Sequence, residues 1–357
     1  MIRLATVFSG IGAIEQALKK NDSDYNIVFA CDNGEREIDI PDSVIKEIQT
    51  LPNEDRNKII KEYYDKSGKH NFVKDSYFAN YDISEDRWFE DIRFIDGNEF
   101  KNNVDLFVGG SPCQSFSIIG KRKGLEDARG TLFYEYARLV KEIQPKVFIY
   151  ENVVGMLNHD KGKTWDVIKD IFTSLGYDIH FNVLNSKDYG IPQDRKRIFV
   201  IGFKESRNFK FPEPIKLDKT MFDFLDVAPI PAKYYLGQKG FEFVTGQKNR
   251  NRARVNRDII QTQKRNQQFN WNGDFVFEKL QTVSHDSAIM NRAYVGYWNN
   301  EQGVCRQLTE RECLRLMGFD DSFKIVVDTN NAYRQTGNSI VVNVLQNILK
   351  EIEKVEK

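Results

Sequence analysis

Cys113 stands in GGSPCQSFSIIGKRKG, residues 109 to 124, behind two glycines and a proline and among hydroxyl, amide and basic side chains. A structural cysteine is usually a small hydrophobe inside an apolar run. A reactive one needs partial exposure and a positive setting that lowers its pKa from about 8.5. The loop has the second character, so Cys113 is read as a nucleophile. Cys31 lies in an apolar run and Cys313 in a helical pattern, and both suit packing. The four cysteines show neither metal-ligand spacing nor the density of a disulfide scaffold, so free thiols and no metal are expected.

A thiolate adding to a pyrimidine ring needs an acid near the ring nitrogen, where the displaced electron density must be accommodated. Glu151 ends the apolar run that follows the Cys113 run. Neighbouring strand ends would bring thiol and carboxyl to one pocket, where partial burial would raise the carboxyl pKa. Further along, YGIPQDRKRIFVIG carries Arg195 and Arg197, which a period of two places on one side of an extended segment. Such guanidiniums suit a base carbonyl or a phosphate. Near the start, FSGIGA follows an apolar run, and Asp32 ends the next one. Backbone geometry alone can demand a glycine turn. With an acidic side chain suited to ribose hydroxyls, the pair favours an adenosine-containing cofactor.

The elements that must position these residues are short apolar runs alternating with helical patterns. IRLATVF, IVFAC, VDLFVGG and KVFIYEN each end in one of the polar clusters just described. AIEQALKK, TLFYEYARLVKEI and TWDVIKDIFTSLG have helical spacing. This alternation predicts an α/β fold with a mostly parallel sheet, whose ligands sit at the carboxyl ends of strands. Residues 33 to 88 are charged and partly helical and read as an insertion without a motif. After IFVIGF, Pro212, Pro214, Pro229 and Pro231 suit a domain boundary. The formal net charge is zero, from 52 basic and 52 acidic side chains, which argues against coating nucleic acid by bulk charge. Yet Lys233 to Arg265 holds nine basic residues opposed only by Glu242 and Asp258, as expected if one face meets a polyanion. No run of about 18 apolar residues occurs, and the first residues lack the pattern of a signal peptide, so a soluble intracellular protein is expected.

Six ordered motifs, FSGIGA, GGSPCQSFS, ENV, QDRKRIFVIG, RQLTERECLRLMGF and QTGNSIVVNVL, resemble those of the bacterial cytosine-5 DNA methyltransferase family. The resemblance implies a Rossmann-like class I methyltransferase fold with S-adenosylmethionine as methyl donor and S-adenosylhomocysteine as product. A discontinuous catalytic domain, residues 1 to 204 and 304 to 357, would enclose a target recognition domain at 205 to 303, and the C-terminal helix would return beside the first strand. It further implies that Phe8, Gly10, Gly12, Asp32, Asp91, Ile92, Leu132, Asn338 and Ser339 meet the cofactor. Cys113 and Glu151 would act on a cytosine flipped out of the duplex, Arg197 would hold its carbonyl, and Arg195 would help position the nucleotide. Gln114, Ser117, Thr282, Arg250, Arg252 and Arg254 would meet DNA, with the loop from Ser111 to Thr131 closing over it. Two departures stand out: Asn33 where many relatives carry an aromatic or apolar residue, and the long insertion before Trp88.

Rival readings are a tRNA cytosine-5 methyltransferase, whose typical CFT tripeptide is missing, and a DNA-binding protein without catalysis, against which Cys113, Glu151 and Arg197 argue. Double-stranded DNA is the expected partner of a monomer, cytoplasmic and associated with the nucleoid, with no membrane contact. Restriction-modification beside a cognate endonuclease is the usual family setting.

Overall fold

The computed structural model describes residues 1–112, 132–227, 229–284 and 286–356. They form two compact units: residues 1–184, 196–213 and 345–357, and residues 185–195 and 214–344.

The first unit is built on a seven-stranded sheet in the order β3-β2-β1-β4-β5-β8-β6. Its strands are β1 (Ile2–Val7), β2 (Tyr25–Cys31), β3 (Trp88–Phe89), β4 (Leu106–Gly109), β5 (Val147–Val153), β6 (Asp178–Asn185) and β8 (Lys196–Phe203). The pairings β3/β2, β2/β1, β1/β4 and β4/β5 are parallel, and β5/β8 is antiparallel. Strand order reverses at β1, flanked by β2 and β4, and such a switch point opens a crevice at the carboxyl ends. The apolar runs thus become the expected strands, buried under helices on crossover connections.

The helix Leu132–Ile143 shows why the packing holds. Phe133, Tyr136, Ala137, Val140 and Ile143 recur at helical spacing and are fully buried. Tyr136 stacks on Phe107 of β4 with ring centroids 4.9 Å apart, and Phe148 of β5 meets Phe172 at 4.5 Å. Each such ring contributes roughly 1.5–3 kcal/mol by leaving water. This cluster carries the strands whose ends hold the polar residues.

Residues 33 to 88 fold into three helices, Asp42–Ile48, Asn53–Lys66 and Phe72–Asn80. Ile40, Ile48, Ile60, Tyr64 and Phe94 form their own buried cluster. At the far end of the chain, the helix Val342–Glu356 lies beside the loop that precedes β2. Asn21 Nδ2 donates to Gln346 O at 3.1 Å, and Ser23 Oγ donates to Glu353 Oε1 at 2.9 Å.

The second unit holds a four-stranded sheet in the order β12-β13-β11-β9. Its strands are β9 (Ala253–Val255), β11 (Gly273–Lys279), β12 (Gly296–Trp298) and β13 (Glu301–Gln307). β12 and β13 form a hairpin whose two loop residues, Asn299 and Asn300, have φ of 48° and 66°, and asparagine tolerates this left-handed turn. Two short strands, β7 (Gln193–Asp194) and β10 (Ile260–Gln261), pair in parallel. These boundaries differ from the expected domains. Residues 304–344 group with the second unit because β13 pairs with β11 along its length, and residues 185–195 join it through β7.

Candidate active site

At the end of β1 the chain turns sharply: Phe8, Gly10 and Gly12 all have positive φ, 54°, 54° and 76°. Glycine adopts this region at no steric cost, and Gly12 also lies so close to the Tyr81 ring that a Cβ would be 2.2 Å from it. Beyond Gly12 the helix Ala13–Lys20 begins. The turn is tied to the end of β2: Ser9 Oγ donates to Cys31 O at 3.1 Å and accepts from Cys31 N at 3.0 Å. Asp32 receives the amide of Gly10 at 2.9 Å on one carboxylate oxygen and that of Gly34 at 2.8 Å on the other. Burial raises its carboxyl above the usual value, and these two amides oppose the shift.

This loop fits an adenosine-containing donor. A Cβ built on Gly10 meets nothing within 4 Å, so the loop borders open space, and each Asp32 oxygen keeps a further acceptor site for a hydroxyl. Asp91, after β3, is 7% exposed, with its carboxylate held by Arg93 Nη2 at 2.6 Å and by the Tyr64 hydroxyl at 3.1 Å. Ile92 beside it is buried, and Phe8 and Leu132 are half-buried. Asn338 and Ser339 belong to the second unit, where Asn338 ends the helix Thr329–Asn338 and Ser339 is buried.

Cys113, Gln114 and Ser117 lie outside the described residues, but the chain is described up to Pro112. β4 delivers Gly110 and Ser111 beside β5. Ser111 Oγ shares a 2.7 Å hydrogen bond with the Tyr150 hydroxyl, and Asn152 Nδ2 donates to Ser111 O at 2.9 Å and to the Tyr150 hydroxyl at 3.0 Å. This buried triangle fixes the segment leading to Cys113. A Cβ on Gly110 would lie 2.7 Å from Glu151 O and 3.0 Å from Glu151 Oε2, so only glycine lets that carboxylate sit there.

Glu151 and Arg197 meet because β5 and β8 are antiparallel: Val153 faces Arg197 in register, and Glu151, two residues before Val153, shares its side of the sheet. Arg197 Nε lies 3.0 Å from Glu151 Oε1, with the side chains 18% and 13% exposed. Arg195 does not join them. The extended segment is broken at Arg195, between β7 and β8, so the two arginines are not on one face of one strand as expected. Arg195 is 3% exposed and belongs to the second unit, donating to Gln263 O at 2.7 Å and Ser339 O at 2.7 Å. It therefore holds the backbone at Ser339.

In the second unit Thr282 closes a turn after β11, its amide and hydroxyl both donating to Lys279 O at 2.8 Å. Arg250 and Arg252 are exposed, and Arg254 points to the side of β9 opposite the buried Ala253 and Val255. Among the described residues, no helix is long and apolar enough to cross a membrane. Sequence reasoning missed the Ser111–Tyr150–Asn152 triangle. A tyrosine inside the apolar run FIYEN was its signal, because a buried hydroxyl needs a partner.

A family model described as C-5 cytosine-specific DNA methylase matches residues 2–354. The chain is 39% identical to the type II methyltransferase M.HhaI of Haemophilus parahaemolyticus, over 70% of this chain and 75% of that protein. It is 34% identical to the type II methyltransferase M.HpaII of Haemophilus parainfluenzae, over 70% and 71% respectively. The crystal structure of the S. pombe Dnmt2 methyltransferase shares the fold at 18% identity, with a TM-score of 0.65 over 98% of this chain and 97% of that one.

Proposed function

The chain belongs to the C-5 cytosine-specific DNA methylase family, and from that membership we propose how its own residues methylate cytosine in DNA. It is a DNA cytosine-5 methyltransferase. The observation that carries the residue assignment is the Glu151–Arg197 pair at 3.0 Å, beside the anchored segment that leads to Cys113.

Cytosine inside a duplex cannot present its ring face to a thiolate, so the base is flipped out, at roughly a few kcal/mol that contacts to the extruded nucleotide offset. The Cys113 thiolate adds to carbon-6, and the displaced electron pair moves toward ring nitrogen 3. Glu151 hydrogen-bonds or protonates that nitrogen, while Arg197 fixes the Glu151 carboxylate and presents its remaining donors to the base carbonyl. Carbon-5 thereby becomes nucleophilic. S-adenosylmethionine supplies an electrophilic methyl group when bound, and Phe8, Gly10, Gly12, Asp32, Asp91, Ile92, Leu132, Asn338 and Ser339 would hold it. Afterwards carbon-5 loses its proton, water being the acceptor, and Cys113 is eliminated as the ring regains its double bond. Arg195, which holds the backbone at Ser339, would help position the nucleotide.

Residues 205 to 303 are the proposed target recognition domain, with Thr282, Arg250, Arg252 and Arg254 meeting the duplex and Gln114 and Ser117 meeting it from the Cys113 loop. Basic side chains position such a domain, and base-edge contacts choose the sequence. The two Haemophilus relatives are type II methyltransferases, which supports a role in restriction-modification; the same reading has a cytoplasmic monomer protecting DNA beside a cognate endonuclease. Incubation with S-adenosylmethionine and unmethylated genomic DNA, followed by mapping of 5-methylcytosine, tests the reading. Methylation at one short motif, abolished by Cys113→Ser with DNA binding retained, is expected. Retained turnover in that variant, or label entering only tRNA, would overturn it.

A further inference from the structure

The segment between β2 and the helix Phe72–Asn80 is long and charged, yet it sends buried side chains back to the strand ends where the cofactor loop lies. Tyr64, from the helix Asn53–Lys66, is 1% exposed and donates its hydroxyl to Asp91 Oδ2 at 3.1 Å. The Arg36 guanidinium lies 4.4 Å over the Tyr64 ring and donates to Glu90, the neighbour of Asp91. Asn71 Nδ2 donates to Glu90 Oε2 at 2.9 Å and to Asp32 O at 3.0 Å. Asn33, the residue that departs from the family pattern, turns its amide inward to Arg36 O at 2.7 Å.

Arg36 and Glu90 are each only 5% exposed. Two charges withdrawn from water cost several kcal/mol, so a buried pair of this kind holds only when further hydrogen bonds complete it. Here Arg36 Nε also donates to Asn33 O at 2.8 Å and Nη1 to Lys69 O at 3.3 Å. The result is a continuous buried network that begins in the inserted segment and ends on Asp32 and Asp91. The first unit's main core is a separate cluster of strand and helix residues.

We propose that Tyr64, backed by Arg36, is a positioning residue for the methyl donor, and this rests on the cofactor reading above. Arg93, two residues on, engages both Asp91 oxygens within the same turn, and the Tyr64 hydroxyl ties that carboxylate to the inserted helix. A group fixed before the ligand arrives loses no conformational entropy on binding. The inserted segment thus serves the cofactor through Asp91.

Isothermal titration of the full chain with S-adenosylhomocysteine tests this, together with steady-state kinetics. Tyr64→Phe is expected to weaken binding about tenfold and to raise the KM for S-adenosylmethionine by a similar factor, with kcat falling less than about twofold. Arg36→Lys should keep affinity within about threefold, and Arg36→Met should lose about tenfold. The double variant Arg36→Met/Glu90→Gln leaves no lone buried charge and should fold while still binding about tenfold more weakly than wild type. Wild-type affinity in Tyr64→Phe, or a fall in kcat with KM unchanged, would overturn the positioning role. Failure of the wild-type chain itself to bind S-adenosylhomocysteine would instead remove the cofactor reading beneath it.

Discussion

Two arginine–glutamate pairs, one in each unit, differ in how fully they are withdrawn from solvent. Arg306 of β13 is 2% exposed and Glu312 wholly buried, and two parallel bonds of 2.8 and 2.9 Å join them. Glu278 takes Arg306 Nε, and the amides of Thr309 and Asp226 reach Glu312 at 2.8 and 2.9 Å. Arg197 Nε meets Glu151 Oε1 at 3.0 Å near the ends of their strands, with the side chains 18% and 13% exposed. A saturated pair closed to solvent has nothing to offer a substrate, whereas a partly exposed one near strand ends can meet it. A charged pair alone therefore does not mark a reactive site; its access to a substrate does.

The largest effect should come from removing charge from the partly exposed pair. Glu151→Gln should lower kcat by roughly 10²–10⁴-fold, the usual range for a lost general acid, while a urea unfolding midpoint stays close to that of the wild type. A large loss of stability with retained turnover would exchange the roles of the two pairs.

In the saturated pair the expected loss is of folding. Arg306→Met leaves Glu312 buried without its partner and should cost about 3–5 kcal/mol in denaturant unfolding, with turnover per folded molecule preserved. A cost below about 1 kcal/mol would show that the pair is as dispensable as an exposed one.

Glu15 extends the comparison to a fully buried carboxylate partnered by a tyrosine hydroxyl. It accepts the Tyr77 hydroxyl, and burial pushes its pKa from 4.5 up to about 7. Between these values the folded chain holds the proton that the unfolded chain has released. Stability should therefore fall as pH rises from about 4.5 to about 7, by at most roughly 3 kcal/mol, and level off above. Glu15→Gln should flatten this slope and stabilise the chain at pH 8; urea melts of both proteins across that range check it. An unchanged slope would mean that Glu15 is not the group that titrates.

The smallest expected effect lies at Gly110. Gly110→Ala presses a methyl group against Glu151 and should cost about 1–3 kcal/mol through crowding, with a loss of turnover that tracks the displacement of the carboxylate.

Much of this was legible in the sequence because apolar runs and their polar ends encode strands and strand termini directly. Glu151 beside the Cys113 segment followed from two adjacent runs, and β4 and β5 do pair in parallel. Arg195 and Arg197 misled for a physical reason. A period of two assumes one unbroken strand, and here a break turns one guanidinium toward carbonyls of the second unit and leaves the other with Glu151. The inserted helices carried no local sign of their task, since the contact of Tyr64 with Asp91 spans 27 residues and exists only after folding. The domain boundary near residue 304 was obscured similarly, because Val304 to Gln307 are strand residues whose partners lie in β11.

The register that joins β5 to β8 also makes the reactive pair sensitive to arithmetic. Val153 opposes Arg197, so Glu151 and Arg197 share a side only while the number of residues on each strand keeps its parity. Deleting Asn152, or inserting one residue between Arg197 and Ile198, would turn one partner to the opposite face, although every amino acid needed for the chemistry would still be present. Two such changes in compensation would restore it. In this stretch heredity must preserve a count as well as an alphabet.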